Sequence, residues 1–64
     1  MENSTMFYQT RRYQIMFEVN YQFLTITVYD KSGEDWANVA EKEYNLLKVG
    51  FREAFKDLRK SFNI

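Results

Sequence analysis

Cysteine, histidine and proline are all missing from this 64-residue chain, and glycine occurs only at positions 33 and 50. Without cysteine there is no disulfide and no thiolate site. Without histidine, the commonest transition-metal ligand and the commonest general base are both gone. Ser4, Ser32 and Ser61 therefore have no imidazole to activate them, and the usual nucleophile–base–orienter set cannot be assembled. Asp30, Glu34, Asp35, Glu41 and Glu43 lack the D-x-[DN]-x-[DN]-G spacing of a calcium loop. No enzymatic activity and no cofactor are expected. Charge of one sign is not in excess either: nine basic residues cancel nine acidic ones, which argues against a strongly basic nucleic-acid binder. No stretch approaches the ~18 apolar residues of a membrane span, and the start has no apolar signal core. No membrane partner and a cytoplasmic location are the expectation.

Aromatics are plentiful: six Phe, five Tyr and one Trp. A domain below ~80 residues has a thin core, so some of these large side chains must meet a partner or stay wet. One domain, 1–64, is expected, with 1–4 disordered, strands over 5–29 and a helix over 34–61. In "YQIMFEV", Tyr13, Ile15, Phe17 and Val19 share one face. In "FLTITVY", Leu24, Ile26 and Val28 share a face opposite Phe23, Thr25, Thr27 and Tyr29. Alternation of this kind is the strand signal, and "NYQ" makes a turn around Asn20. "TMFYQT" is either a third strand or the start of one long first strand.

After "DKSGED", with Ser32 and Asp35 placed like a capping box, apolar residues recur at Trp36, Ala40, Tyr44, Leu47, Phe51, Phe55, Leu58 and Phe62. Steps of three and four pass Gly50 without a phase slip. The spacing predicts one long helix, with two antiparallel helices broken at Gly50 as the runner-up. Trp36 would close the end of the core. The fold class expected is α+β: a small antiparallel sheet of two or three strands followed by one long C-terminal helix. A helix of ~28 residues is about 42 Å long and overruns strands of about 23 Å, which leaves its apolar stripe for a second copy or another protein.

Charge is unevenly spread. Asp30 to Glu43 holds five acids against two lysines, and Lys48 to Lys60 holds five bases against two acids. Lys48, Arg52, Lys56 and Lys60 follow a four-residue step on one helix face, a candidate contact for an acidic surface or phosphates. The same set is usually a solvated face. Gly50 and Ala54 form a small-residue notch, and Phe23, Tyr29 and Phe62 are candidate partner contacts. Arg11 and Arg12 beside Tyr8, Tyr13 and Tyr21 form a candidate platform on which bases stack, with ordinary rim packing as the blander alternative.

In size and composition the chain resembles the small early proteins with which phages neutralise host enzymes, and "EDWANVAEKEYNLL" is similar in texture to phage antitoxin-like proteins. That resemblance implies a non-catalytic inhibitor or adaptor that occupies a partner's surface in the host cytoplasm; the uncovered apolar surface adds the expectation of a homodimer. The order of strands before a helix is similar to the single-strand-binding folds of transcriptional positive cofactors. It implies the alternative: a dimeric single-stranded nucleic-acid-binding protein using strand aromatics and the basic helix face.

Overall fold

The computed structural model describes residues 4–64, so the expectation of disorder at Met1, Glu2 and Asn3 lies outside the described residues. Four strands precede one helix: β1 (Ser4–Gln9), β2 (Tyr13–Asn20), β3 (Phe23–Asp30), β4 (Ala37–Asn45) and α1 (Phe51–Phe62). Ser4, expected to be frayed, opens β1. The sheet runs β1-β2-β3-β4, every neighbouring pair antiparallel. The chain is thus α+β as expected, but with four strands rather than two or three.

The alternation in β2 and β3 works as its spacing requires. Ile15 opposes Val28, Phe17 opposes Ile26 and Val19 opposes Leu24. These residues share the face on which α1 lies, and Leu24, Ile26 and Val28 are fully enclosed by it together with Ala54 and Leu58. Complete burial of one such side chain contributes about 1.5–3 kcal/mol. "TMFYQT" is a separate strand. A two-residue loop, Arg11–Arg12, closes it onto β2, with the Thr10 N–H donating to the Tyr13 carbonyl at 2.9 Å and the Tyr13 N–H to Thr10 Oγ1 at 2.9 Å. The β2–β3 loop is Tyr21–Gln22, and the left-handed residue is Tyr21 (φ 60°), not Asn20, which stays in the strand.

The long helix over 34–61 does not form, nor does a pair of helices meeting at Gly50. Residues 37–45 are a strand. Ala40 and Tyr44 are four apart, a step that both a helix and a strand place on one face. In β4 they oppose Val28 and Leu24 across the ladder. The deciding factor is long-range: β3 has an open row of backbone donors and acceptors, and a fourth strand satisfies it where a helix cannot. Intrinsic helix preference in "AEKEY" is a weak prior that such pairing overrides. Ser32 caps no helix; its N–H donates to Asp30 Oδ1 at 2.9 Å in a local turn. Trp36 is half exposed rather than core, and Leu47 is 79% exposed in the turn after β4.

Gly50 is the cap at the start of α1, with φ −75° and ψ 162°. Its N–H donates weakly to Glu53 Oε1 at 3.4 Å, and its carbonyl accepts the first helical bond from the Ala54 N–H at 2.9 Å. Glycine has no side chain to accept a bond from the first turn in return. There is no Gly50–Ala54 notch, because Gly50 precedes the helix and Ala54 is buried beneath it. At the other end Asn63 is left-handed, and the Ile64 N–H returns to the Arg59 carbonyl at 2.9 Å. This C-terminal capping pattern turns Ile64 back against the core. A 12-residue helix is about 18 Å long, shorter than eight-residue strands of about 26 Å. It does not overrun the sheet.

Cap and helix interior rank substitutions oppositely. At an N-cap aspartate is better than glycine and alanine is worse; inside a helix alanine is best. Gly50→Asp should raise stability by about 0.3 kcal/mol and Gly50→Ala should not. Urea unfolding of the three proteins checks this, and alanine as the most stable would contradict the cap.

Candidate binding groove

The helix is rolled about its axis by one polar cluster. Asp57 Oδ2 accepts the Tyr44 hydroxyl at 2.7 Å and Lys42 Nζ at 3.1 Å, and Lys42 also lies 5.2 Å from the Tyr44 ring centre. These contacts pin the Asp57 side of α1 to β4. On the side towards β1 and β2, Phe17 packs against Phe51 and Phe55 with ring centres 5.2 Å apart in each pair. Tyr8 meets Phe55 edge-on at 6.4 Å.

Two adjoining concavities open on that side. One, of about 510 Å³, is lined by Arg52, Phe55, Lys56, Arg59, Lys60, Asn63 and Ile64. The other, about 230 Å³, is lined by Tyr8, Thr10, Tyr13, Ile15, Phe55, Arg59 and Ile64. They share Phe55, Arg59 and Ile64 and so adjoin: Arg52, Lys56 and Lys60 line only the concavity of the helix and C-terminal residues, Tyr8 and Tyr13 only the one against the sheet, and Arg59 with Phe55 stands between them. Arg59 lies over the Phe55 ring at 5.6 Å and Arg12 over the Tyr13 ring at 5.4 Å. Among the described residues the ion pairs are Arg12–Asp30, at 3.1 Å, and Lys42–Asp57; Arg52, Lys56, Arg59 and Lys60 are in neither.

The structure joins two sets of residues that are separate in the chain. Tyr8 and Tyr13, from the strand platform, line a concavity that adjoins the one lined by Arg52, Lys56 and Lys60 from the basic row. Others fall elsewhere. Lys48 lies in the β4–α1 turn and is not part of a helical row. Tyr21 is in the β2–β3 turn, at the opposite end of the sheet from Arg11 and Arg12 in the β1–β2 turn. Phe23 and Tyr29 alternate with Leu24, Ile26 and Val28, so they lie on the sheet face away from the helix. Phe62, 41% exposed, ends the helix. Arg59 and Phe55 are central to the groove but were absent from the candidate set. Arg59 is seven residues after Arg52, a helical repeat that a strict four-residue step overlooks.

Charge is segregated between the two sides. The open sheet face carries Glu18, Glu41 and Glu43 in its ladder positions, with Lys31 reaching its rim to donate to Gln9 Oε1 at 3.3 Å. The net charge of zero conceals a basic groove opposite an acidic face. Among the described residues no group of three potential metal ligands gathers, and no helix is long and apolar enough to cross a membrane. No protein-family model, curated protein or solved structure matches the chain.

The Asp57 carboxyl is held below the usual carboxylate range, first by the Tyr44 hydroxyl and then by Lys42. Burial, and then the bond to Asp57, pushes the Tyr44 phenol well above its usual value. Asp30 is lowered likewise, by hydrogen bonds from Ser32 ahead of Arg12. A lowered carboxyl contributes stability that is present above its unfolded pKa of about 4 and lost as pH falls through the folded value. A raised phenol contributes stability that is present below about pH 10 and lost as pH rises towards the folded value. Tyr44→Phe should therefore flatten the alkaline limb and cost about 1 kcal/mol at neutral pH. Denaturant unfolding between about pH 3 and about pH 11 measures both, and an alkaline limb as steep as that of the unmodified chain would contradict the assignment.

Proposed function

We propose that this chain is a non-catalytic binding module whose groove takes a single-stranded nucleic acid. The observation that carries this is that the concavity lined by Arg52, Lys56, Arg59 and Lys60 adjoins, through Phe55 and Arg59, the one lined by Tyr8 and Tyr13. Unpaired cations at a helix flank neutralise phosphates, and aromatic faces accept bases without regard to sequence. Zero net charge is no obstacle, because Glu18, Glu41 and Glu43 lie across the sheet and Asp57 is turned towards Tyr44 and Lys42. A single strand is favoured because its unpaired bases can stack on the exposed Tyr8 ring and its neighbours, whereas a duplex keeps its bases stacked on one another.

A second reading is supported by a different surface. Phe7 is 59% exposed on the open sheet face, in one ladder row with Met16, Thr27 and Glu41. Tyr29 lies in the next row on that face and Phe23 further along it. Apolar patches flanked by charge serve as protein contacts. On this reading the module is an inhibitor or adaptor that occupies a partner's surface, as the resemblance to small phage proteins implies.

Fluorescence anisotropy with labelled single-stranded and duplex oligonucleotides tests the first reading. Single strands should bind better than duplex, with log affinity falling against log salt at a slope of about −2 to −3, as expected for three or four neutralised phosphates. Arg52→Glu with Lys56→Glu should weaken binding by more than about tenfold and shrink that slope. Absence of binding at low salt, or binding indifferent to salt, would overturn it. Capture of a partner protein that depends on Phe7 and Glu41 but not on Arg52 and Lys56 would favour the second reading instead.

A further inference from the structure

The two edges of the sheet are unlike. β4 carries Glu41, Lys42 and Glu43, and its pairing with β3 is broken by a register shift that leaves Val39 as an extra residue. Charges and bulges are the usual protection of an edge. β1, with the sequence STMFYQ, has no charge, no proline and no bulge, and all six residues are exposed. Met6, Phe7 and Tyr8 at its centre are 55%, 59% and 54% exposed.

The backbone of β1 can be assigned. The Thr10 N–H donates to the Tyr13 carbonyl, so Thr10 and Tyr13 are a hydrogen-bonded pair. Such pairs alternate along an antiparallel ladder. Tyr8 and Met6 therefore bond to β2, while Thr5, Phe7 and Gln9 turn their N–H and carbonyl groups outward. Among the described residues nothing meets these groups. We infer that the β1 edge pairs with β1 of a second copy of this chain, antiparallel and centred on Phe7, to make a continuous eight-stranded sheet.

A two-fold axis at Phe7 opposes Phe7 to its own copy and Thr5 to Gln9 of the second chain. All three outward-facing residues of each strand are then used. On the open face two Phe7 rings become cross-strand neighbours. On the helix face Met6 of each copy opposes Tyr8 of the other. The axis brings no charged residue of β1 opposite another, because there is none. The protected β4 edge prevents the sheet from growing further, so the assembly closes at two copies rather than forming a filament. A second copy is favoured over a foreign strand because this one register matches apolar residues to apolar residues and donors to acceptors throughout.

Aromatic side chains bury about 150–250 Å² each, so the half-exposed Met6, Phe7 and Tyr8 of both copies supply roughly 600 Å². That is below the ~1,200 Å² of a standard interface, and the dissociation constant expected is on the order of 10–100 μM. The inference does not rest on nucleic-acid binding and is tested without nucleic acid.

The absence of cysteine makes the register directly measurable. In a hydrogen-bonded pair the Cα atoms are about 5.5 Å apart, within disulfide reach. Under mild oxidation Phe7→Cys should form a covalent dimer at least about tenfold faster than Thr5→Cys or an exposed control, Tyr21→Cys, since the registry places Thr5 opposite Gln9 rather than itself. Sedimentation from about 1 μM to about 1 mM should show monomer passing to dimer. Phe7→Lys should weaken that dimer by about tenfold or more, with the circular dichroism unchanged. A monomer across the whole range, leaving β1 free for a foreign strand, would overturn the inference. So would equal cross-linking at positions 5, 7 and 21, a dimer indifferent to Phe7→Lys, or masses growing beyond two copies.

Discussion

One short helix has to cover the apolar face of a four-stranded sheet, and it covers only part of it. Leu24, Ile26 and Val28 on β3 are sealed by Ala54 and Leu58. A helix is about 10 Å across and strands are about 4.8 Å apart, so one helix shelters roughly two strands well. The helix backbone lies nearest β3 and β4 and reaches β2 and β1 only through Phe51 and Phe55, so the shortfall lands on β1. Met6 and Tyr8 share the helix-facing side with Phe17 and Ile15, yet both remain half exposed. The groove and the bare edge are two consequences of that single mismatch.

Which side of the helix faces the shortfall is a question of rotation about its axis. Asp57 joined to Tyr44 and Lys42 turns the acidic flank towards β4. Arg52, Lys56, Arg59 and Lys60 are left off that flank, with Arg59 next to Tyr8 of β1. The cluster is small and partly exposed, so its contribution to stability is modest. Its larger effect is to orient: with Asp57 held at β4, Arg59 stands beside Tyr8 and Tyr13, while strand alternation alone puts the glutamates of the sheet on the far side.

The strand β4 shows where local pattern ceases to discriminate. Ala40 and Tyr44 fit a helical stripe and an alternating strand equally, because a step of four is even and also close to one helical turn. From Trp36 to Tyr44 every step is four, so periodicity there does not break that tie. The alanine, glutamate and lysine content leans towards helix, and the vacant hydrogen-bonding row of β3 outweighs it. Beyond Gly50 the residues at 51, 54, 55, 58 and 62 include steps of three, which a strand cannot hold on one face. There the helical assignment was correct, and only its starting point moved.

Residue order alone was enough for the alternating faces of β2 and β3, the helical stripe from Phe51 to Phe62 and the absence of the usual catalytic parts. Each is a local or compositional property, carried by periods of two and 3.6 or by the residue inventory itself. The fate of 37–45, the meeting of Tyr8 and Tyr13 with the basic helix flank, and the separation of positive from negative charge depended on folding. They arise from which strand finds a free edge and how one helix is rolled against the sheet. Such outcomes are set by competition among contacts distant in sequence, and no window of neighbouring residues contains them.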